Sequence, residues 1–335
     1  MRVLTDKDYR LLEKLVSLTE KGMLKVMAQY LKTKYDNIVI TKDYIIATGD
    51  IPIALVAHMD TVFKEPVSDL YYDKAKGVLW SPEGIGADDR AGIFAILKIV
   101  QDGLRPSIIL TTGEEMGGVG ASAICDKYPD CPIPGLKYMI QLDRRGTNDC
   151  VFYDCYCPDF VSYVESFGFC EQWGSFSDIS FLMPQWNIVG TNLSVGYVGE
   201  HSKTEILHIN PLLDTIKKVK RMLSEKEIPS FEYNELIGAG SWWGRALNSM
   251  EWFNIKCAKC KKNFSEYEMF PVVGMDGTTK LYCPDCLVGN IEWCEVCGNP
   301  YEVKNPSEDK KICSVCLGGN KGCSTSTKSS DSSKK

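Results

Sequence analysis

Histidine is scarce in this chain, with three in 335 residues, so any imidazole chemistry falls to His58, His201 or His208. Long apolar runs are missing as well. None approaches the ~20 residues that a membrane span needs, and the opening MRVLTDKDYR lacks the apolar core of a signal peptide. Export and membrane insertion are thereby excluded from the reading, and a cytoplasmic protein is expected. There is no surplus of positive charge: 38 Lys and Arg stand against 44 Asp and Glu, for a net charge of −6. That balance argues against nonspecific nucleic-acid binding by the chain as a whole, though not against a local basic surface. Cysteine is plentiful, at 15, but Cys257, Cys260, Cys283, Cys286, Cys294, Cys297, Cys313 and Cys316 fall into four CxxC pairs near the C-terminus. Such clustering without an export signal points to zinc and away from disulfides. The scattered Cys125, Cys131, Cys150, Cys155, Cys157, Cys170 and Cys323 read as free thiols, mostly packing.

Leucines, methionines and valines recur at helical spacing over residues 8–32, with Gly22 between two segments, which predicts a helix pair or one bent helix. Residues 38–40 and 44–47 predict a hairpin. The apolar run IALVA then ends at His58, with Asp60 two positions later, and reads as a buried strand. A second hairpin over residues 69–80 leads to GIGADD, and residues 91–100 form an apolar helix with Asp88 and Asp89 in the loop before it. Residues 107–111 and 138–142 predict strands that deliver Glu114-Glu115 and Asp143 at their ends. Residues 157–168 and 178–183 read as helices, 187–197 as strand material, and 211–223 as a closing helix begun at Asn210. This alternation predicts an α/β fold, a three-layer sandwich on a largely parallel mixed sheet. Residues 226–252 are expected to be a linker or docking segment, because Trp242, Trp243 and Trp252 are unfavourable in water. Residues 253–318 hold the cysteine module, and the Ser/Lys-rich end at 319–335 cannot bury enough apolar surface to fold.

Two histidines and several carboxylates, with no cysteine among them, form the donor set of a hydrolytic zinc, cobalt or manganese site. Two divalent ions about 3.5–4 Å apart need a carboxylate between them, and either Asp88 or Asp89 can serve. Of the adjacent Glu114 and Glu115, one can bind metal while the other faces the attacking water and takes its proton.

These motifs carry a resemblance. HMDTV at His58 resembles the HxDTV element of the M20/M28 clan of di-zinc peptidases, and GADDRAG from Gly86 resembles their GADDKAG element. Glu114-Glu115-Met116-Gly117 resembles EEIG, Ser177-Asp178 an SD element, and His201-Ser202-Lys203-Thr204-Glu205 the late H-x-K-x-E element of tripeptidase-like members. Several motifs in the right order are far more specific than any one. The resemblance spans residues 1–225 and implies a di-metal catalytic domain. Asp88 would bridge two metals, His58 and Asp143 completing one site and Glu115 and His201 the other. Glu114 would be the general base, and Asp60 would fix the tautomer of His58. Asp89 and Glu205 would orient neighbours, cap a helix or form surface ion pairs, and His208 matches nothing in the pattern and reads as structural.

The chain departs from the pattern in two respects. Only residues 147–174 separate Gly146 from Ser175, where many relatives insert a lid or dimerisation domain, so a lidless core is expected. Arg144 and Arg145 follow Asp143 directly, where they would hold a substrate carboxylate or phosphate by bidentate hydrogen bonds, or pair with the site's own carboxylates.

Eight thiolates in CxxC pairs suffice for two tetrahedral structural zincs in a small zinc-ribbon-like module. Sequential pairing would give two ribbons, and alternating pairing a cross-braced unit; the spacing permits both. With Lys256, Lys259, Lys261 and Lys262 beside it, the module is a candidate contact for a protein or nucleic-acid partner, or else a stabilising appendage. The function expected is a metallopeptidase, an aminopeptidase or short-peptide hydrolase using two divalent ions, zinc, cobalt or manganese. The rivals are a deacylase of an N-acylated small molecule, and a zinc-module adaptor with an inactive core.

Overall fold

The computed structural model describes residues 3–235, 255–264, 270–273, 279–283, 286, 291–293 and 300–302. The chain forms two compact units, Met1–Ser241 and Trp242–Lys335. No helix among the described residues is long and apolar enough to cross a membrane.

In the first unit, α1 (Asp6–Val16) and α2 (Glu20–Lys32) are each opened by a threonine. The Thr5 hydroxyl accepts from Asp8 N, and that of Thr19 from Gly22 N, satisfying amides the first turn leaves free. The break between the helices therefore falls at residues 17–19, and Gly22 lies inside the first turn of α2. The glycine was the weaker signal, because a helix end is fixed by what satisfies its amides. A hairpin follows, β1 (Asn37–Ile40) and β2 (Tyr44–Thr48), then β3 (Ile51–His58). A second hairpin, β4 (Tyr71–Asp73) and β5 (Val78–Trp80), precedes α3 (Ala87–Gln101). Asp88 (φ −79°, ψ 101°) and Asp89 (φ −117°, ψ 42°) are not helical, so the acidic pair has the loop conformation expected of it.

The chain continues through β6 (Pro106–Thr111), α4 (Val119–Lys127), β7 (Tyr138–Arg144), β8 (Asp149–Val151), α5 (Pro158–Ser166) and β9 (Cys170–Glu171). It closes with α6 (Ile179–Trp186), β10 (Gly190–Ser194), β11 (Tyr197–Val198), β12 (Ile206–His208) and α7 (Ile209–Leu223). Eight strands form one mixed sheet in the order β1-β2-β6-β3-β7-β10-β8-β9, with β6, β3, β7 and β10 parallel. β6 and β10 are buried along their whole length, and β3 and β7 over most of theirs, as a sheet covered on both faces requires. α1, α3 and α7 pack together as one layer and α4 with α6 as another, completing a three-layer sandwich. A small antiparallel sheet, β11-β12-β5-β4, stands apart from the main one.

α3 approaches the sheet closely because it carries Gly92 there. A Cβ on Gly92 would lie 2.2 Å from the carbonyl oxygen of Leu142 on β7 and 2.5 Å from Asp89 Oδ1. No larger residue fits without moving the strand that bears Asp143.

After α7 the chain does not leave the core at once. The ammonium of Lys137 donates to the Ile228 carbonyl, Tyr156 N donates to Asn234 O at 2.7 Å, and Cys155 bridges Glu235. The Phe231 ring lies 4.9 Å from that of fully buried Phe160, which also meets Tyr138 at 5.4 Å and Phe152 at 5.6 Å. Removing a buried aromatic ring loses its transfer energy and leaves a cavity. Phe160→Ala is expected to destabilise the unit by about 3–5 kcal/mol, seen as a lower urea midpoint at unchanged slope.

In the second unit, β13 (Ile255–Lys256) pairs with β14 (Asn263–Phe264). β15 (Phe270–Val273), β16 (Thr279–Tyr282), β17 (Ile291–Trp293) and β18 (Pro300–Glu302) form a sheet in the order β16-β15-β18-β17. Residues 236–252, with Trp242, Trp243 and Trp252, and the tail at 319–335 lie outside the described residues, as do Cys294, Cys297, Cys313, Cys316 and Cys323.

Candidate metal centre

The parallel strands end on one edge of the sheet, where open α/β sheets gather their ligands. His58 is the last residue of β3, Asp143 lies near the end of β7, and Glu114-Glu115 sit in the turn that leaves β6. His58 is fully buried. Its Nε2 lies 2.9 Å from Asp88 Oδ1 and 3.4 Å from Asp143 Oδ1. His201 comes from the loop between β11 and β12, and its Nε2 lies 3.3 Å from Asp88 Oδ2 and 3.0 Å from Glu115 Oε2. Asp88 thus presents one carboxylate oxygen to each imidazole and stands between the two ligand triads expected from the sequence, His58–Asp88–Asp143 and Asp88–Glu115–His201.

Other side chains hold these donors in place. Asp60 Oδ1 lies 3.2 Å from His58 Nδ1, and its two oxygens accept from Glu114 N at 3.1 Å and Glu115 N at 3.0 Å. One carboxylate therefore faces the histidine and fixes the turn that carries both glutamates. Asp89 accepts from His58 N at 3.2 Å and Gly92 N at 2.9 Å, a backbone brace that occupies an oxygen on each side. Asp143 accepts from Gln141 Nε2 and Ser177 Oγ at 3.1 Å each on Oδ2, and from the Tyr197 hydroxyl at 3.2 Å on Oδ1. Its own amide donates to Asn192 Oδ1 at 3.0 Å. The motifs do not announce Gln141, Asn192 or Tyr197. Gln141 carried a signal, as an amide side chain within an apolar run that must find a partner, and Asn192, between Thr191 and Leu193, a weaker one; Tyr197 carried none. Asp178 is fully buried, accepts from Thr111 Oγ1 at 2.5 Å, and keeps Oδ1 without a hydrogen-bond partner.

The buried charged side chains among the described residues include Asp60, Asp88, Asp89, Glu114, Asp178 and Glu205, with Arg90 as the permanent cation. Arg90 is engaged elsewhere, donating to the carbonyls of Met59 and Leu18. Buried anions need compensation. Burial pushes the Glu114 carboxyl well above the usual range and that of Asp143 up to about 6. Burial works against a charged His201, yet the hydrogen bonds to Asp88 and Glu115 raise it to about 10. His58 is likewise raised well above its ordinary value, against burial, by Asp143, Asp60 and Asp88. Protons on the two imidazoles thus answer part of a demand for positive charge. Glu115 Oε1 is buried with no hydrogen-bond partner, a further unused donor. His58 with Asp88 and Glu115, and His58 with Asp89 and Asp143, bring donor atoms within 4.8 Å of one another, and such clusters, short of positive charge, fit a divalent metal ion.

Arg145 Nη1 lies 2.7 Å from Glu200 Oε1, and Arg144 donates to the Trp173 carbonyl at 3.1 Å with Nε 3.9 Å from Asp149. Both guanidiniums engage carboxylates outside the two triads. His208 ends β12 and precedes α7, with its amide on the Gly196 carbonyl. In the second unit, Cys257, Cys260, Cys283 and Cys286 bring their sulfurs within 4.8 Å of one another. The cluster joins the first and second CxxC pairs, and Cys283 N donates to Cys257 Sγ at 3.4 Å.

The fold recurs in solved structures. An aminopeptidase PepT from Bacillus cereus superposes with a TM-score of 0.50 at 14% identity, over 65% of this chain and 97% of its own. A tripeptidase from Staphylococcus aureus superposes with a TM-score of 0.53 at 13% identity, again over 65% of this chain and 97% of its own. No family model and no curated protein sequence matches the chain.

Proposed function

We propose that the first unit is a metal-dependent peptidase of the M20/M28 type, an aminopeptidase or short-peptide hydrolase acting with two divalent ions. The observation that carries this reading is the orientation of Asp88, one oxygen toward His58 and the other toward His201. Asp88 would bridge the ions, with His58 and Asp143 on one and Glu115 and His201 on the other. The aminopeptidase and tripeptidase that share the fold support peptide as the substrate. When bound, such a pair of ions supplies Lewis acidity that lowers the pKa of a water to about 7 and polarises the scissile carbonyl. Glu114 would take the water's proton and return it to the departing amine, a task suited by the proton affinity that burial raises. Asp60, with Oδ1 3.2 Å from Nδ1, would hold His58 so that Nε2 faces the centre.

Turnover is tested on unblocked short peptides, N-acylated peptides and acyl-amino acids, using the full chain loaded with zinc, cobalt or manganese. Hydrolysis of the unblocked peptides is expected. Activity on the acylated compounds alone would make the protein a deacylase, and none on any substrate would favour an adaptor.

The four clustered cysteines are proposed to hold a structural zinc, and Cys294, Cys297, Cys313 and Cys316 a second, in a ribbon-like module that contacts a protein or nucleic-acid partner. Pairs of reduced thiols on this scale suit a cytoplasmic setting. Because its ligands are remote from the core donors in sequence, Cys257→Ser is expected to lower the zinc content by about one equivalent and leave kcat and KM on a short peptide unchanged. Metal analysis and steady-state kinetics on the same preparation check it, and loss of turnover would show that the module contributes to the reaction.

A further inference from the structure

The loop that carries His201 is tied down at both ends. His201 adopts φ +60°, a left-handed conformation unusual for a residue with a Cβ, so the loop depends on its surroundings to present the imidazole. At one end Glu200 pairs with Arg145, two residues beyond Asp143 on the chain leaving β7. At the other end Glu205, 1% exposed, accepts from Gly86 N at 2.8 Å and Asp88 N at 3.0 Å. Both of its oxygens are committed to the backbone of the loop that presents Asp88. The two ties reach two of the chain segments that bear the other donors, those of Asp88 and Asp143, although neither Arg145 nor Glu205 touches a donor side chain in these pairs.

We propose that Glu205 and the Arg145–Glu200 pair are positioning residues of the metal centre, clamping the His201 loop to the Asp88 loop and to the end of β7. This rests on the metal reading above. Glu205 acts on both triads, because it fixes the backbone of the shared Asp88. The Arg145–Glu200 pair acts on one, because Asp143 on β7 is already held by Gln141, Ser177 and Tyr197, so what the pair adds is the placing of the His201 loop. Glutamine at 205 has one acceptor oxygen in place of two, which leaves one of the two amides unpaired. At Arg145, more than half of the side chain is exposed, so its replacement leaves the core packing intact. This role also differs from a grip on substrate, which would work on KM and not on metal.

The test is a competition titration of the zinc-loaded full chain against a chelator, with kcat and KM measured alongside, for wild type, Glu205→Gln, Arg145→Met and Arg145→Lys. The cysteine sites are common to all four, so differences report the core. Groups that orient metal ligands typically contribute 10–100-fold to affinity. Glu205→Gln is expected to weaken both core equivalents by about that factor, and Arg145→Met to weaken one, with Arg145→Lys restoring part of the loss. Unchanged metal affinity in both Glu205→Gln and Arg145→Met would overturn the proposal, whatever happens to melting temperature. A raised KM in Arg145→Met at wild-type metal affinity would overturn it in favour of substrate binding. Should wild type itself hold no core metal, the metal reading falls and this proposal with it; variants that match a two-metal wild type defeat the proposal alone.

Discussion

Glu114→Gln is expected to lower turnover by about 10²–10⁴-fold, the usual worth of general-base catalysis, while the core keeps both metals. Glu115→Gln is expected to lose metal. The two glutamates are neighbours in one turn, and Asp60 holds the amides of both. Their proposed difference lies in what each carboxylate serves. Glu115 places Oε2 3.0 Å from His201 Nε2, where neutralising it removes an anion from one triad. Glu114 is assigned to the water, and glutamine there still hydrogen-bonds but cannot accept a proton. If both were ordinary residues of a helix-opening turn, neither change would do more than trim stability. Metal content and turnover measured together decide it: full activity in Glu114→Gln sinks the mechanism, and metal loss there with retention in Glu115→Gln exchanges the roles.

Asp88→Ala is expected to do more damage than either. A carboxylate belonging to one triad takes one ion with it, whereas one that turns an oxygen to each imidazole takes both. The variant should bind neither core equivalent and fall below the activity of Glu114→Gln, which retains the metals. Its fold should persist, because the ties from Glu205 to this loop run to the backbone amides of Gly86 and Asp88. Far-ultraviolet circular dichroism checks the fold, and metal analysis the count. Retention of one tightly held equivalent would show that Asp88 serves a single ion and that another carboxylate, such as Asp89, lies between the two.

Much of this was legible in the residues. The core strands were readable because a sheet buried on both faces is written as continuous apolar runs, and IALVA before His58 is such a run. The candidate donors His58, Glu115 and Asp143 were readable because strand ends are where charge interrupts those runs, and Asp88 and His201, both in loops, only from their motifs. The supports were legible only in part: the resemblance put Asp60 beside His58 and left Glu205 open, and neither partner reached across the chain was foreseen. Asp60 serves the turn of Glu114 and Glu115 from fifty-odd positions away, at |i−j| of 54 and 55, and Glu205 reaches Asp88 across 117. Periodicity is local and cannot register such contacts. Tyr197 was invisible for a similar reason: a tyrosine on a short strand gives no sign that its hydroxyl meets Asp143. The start of α2 was misplaced because Gly22 reads as a breaker, whereas the Thr19 hydroxyl makes it an ordinary first-turn residue. Arg144 and Arg145 were open between substrate and the site's own anions, and each engages a carboxylate outside the triads.

Gly92 separates two kinds of inheritance. It has no polar side chain to offer a reaction, and what fixes it is the 2.2 Å that a Cβ would leave to the Leu142 carbonyl. Divergence should therefore treat the GADDRAG segment unevenly. A descendant released from catalysis would be free to drift at Asp88 and Glu114 yet would remain bound to glycine at this position for as long as α3 lies against β7. Among distant homologues, a glycine retained without the carboxylates would mark a lineage that kept the architecture and abandoned the chemistry, whereas both lost together would point to a different packing of the helix.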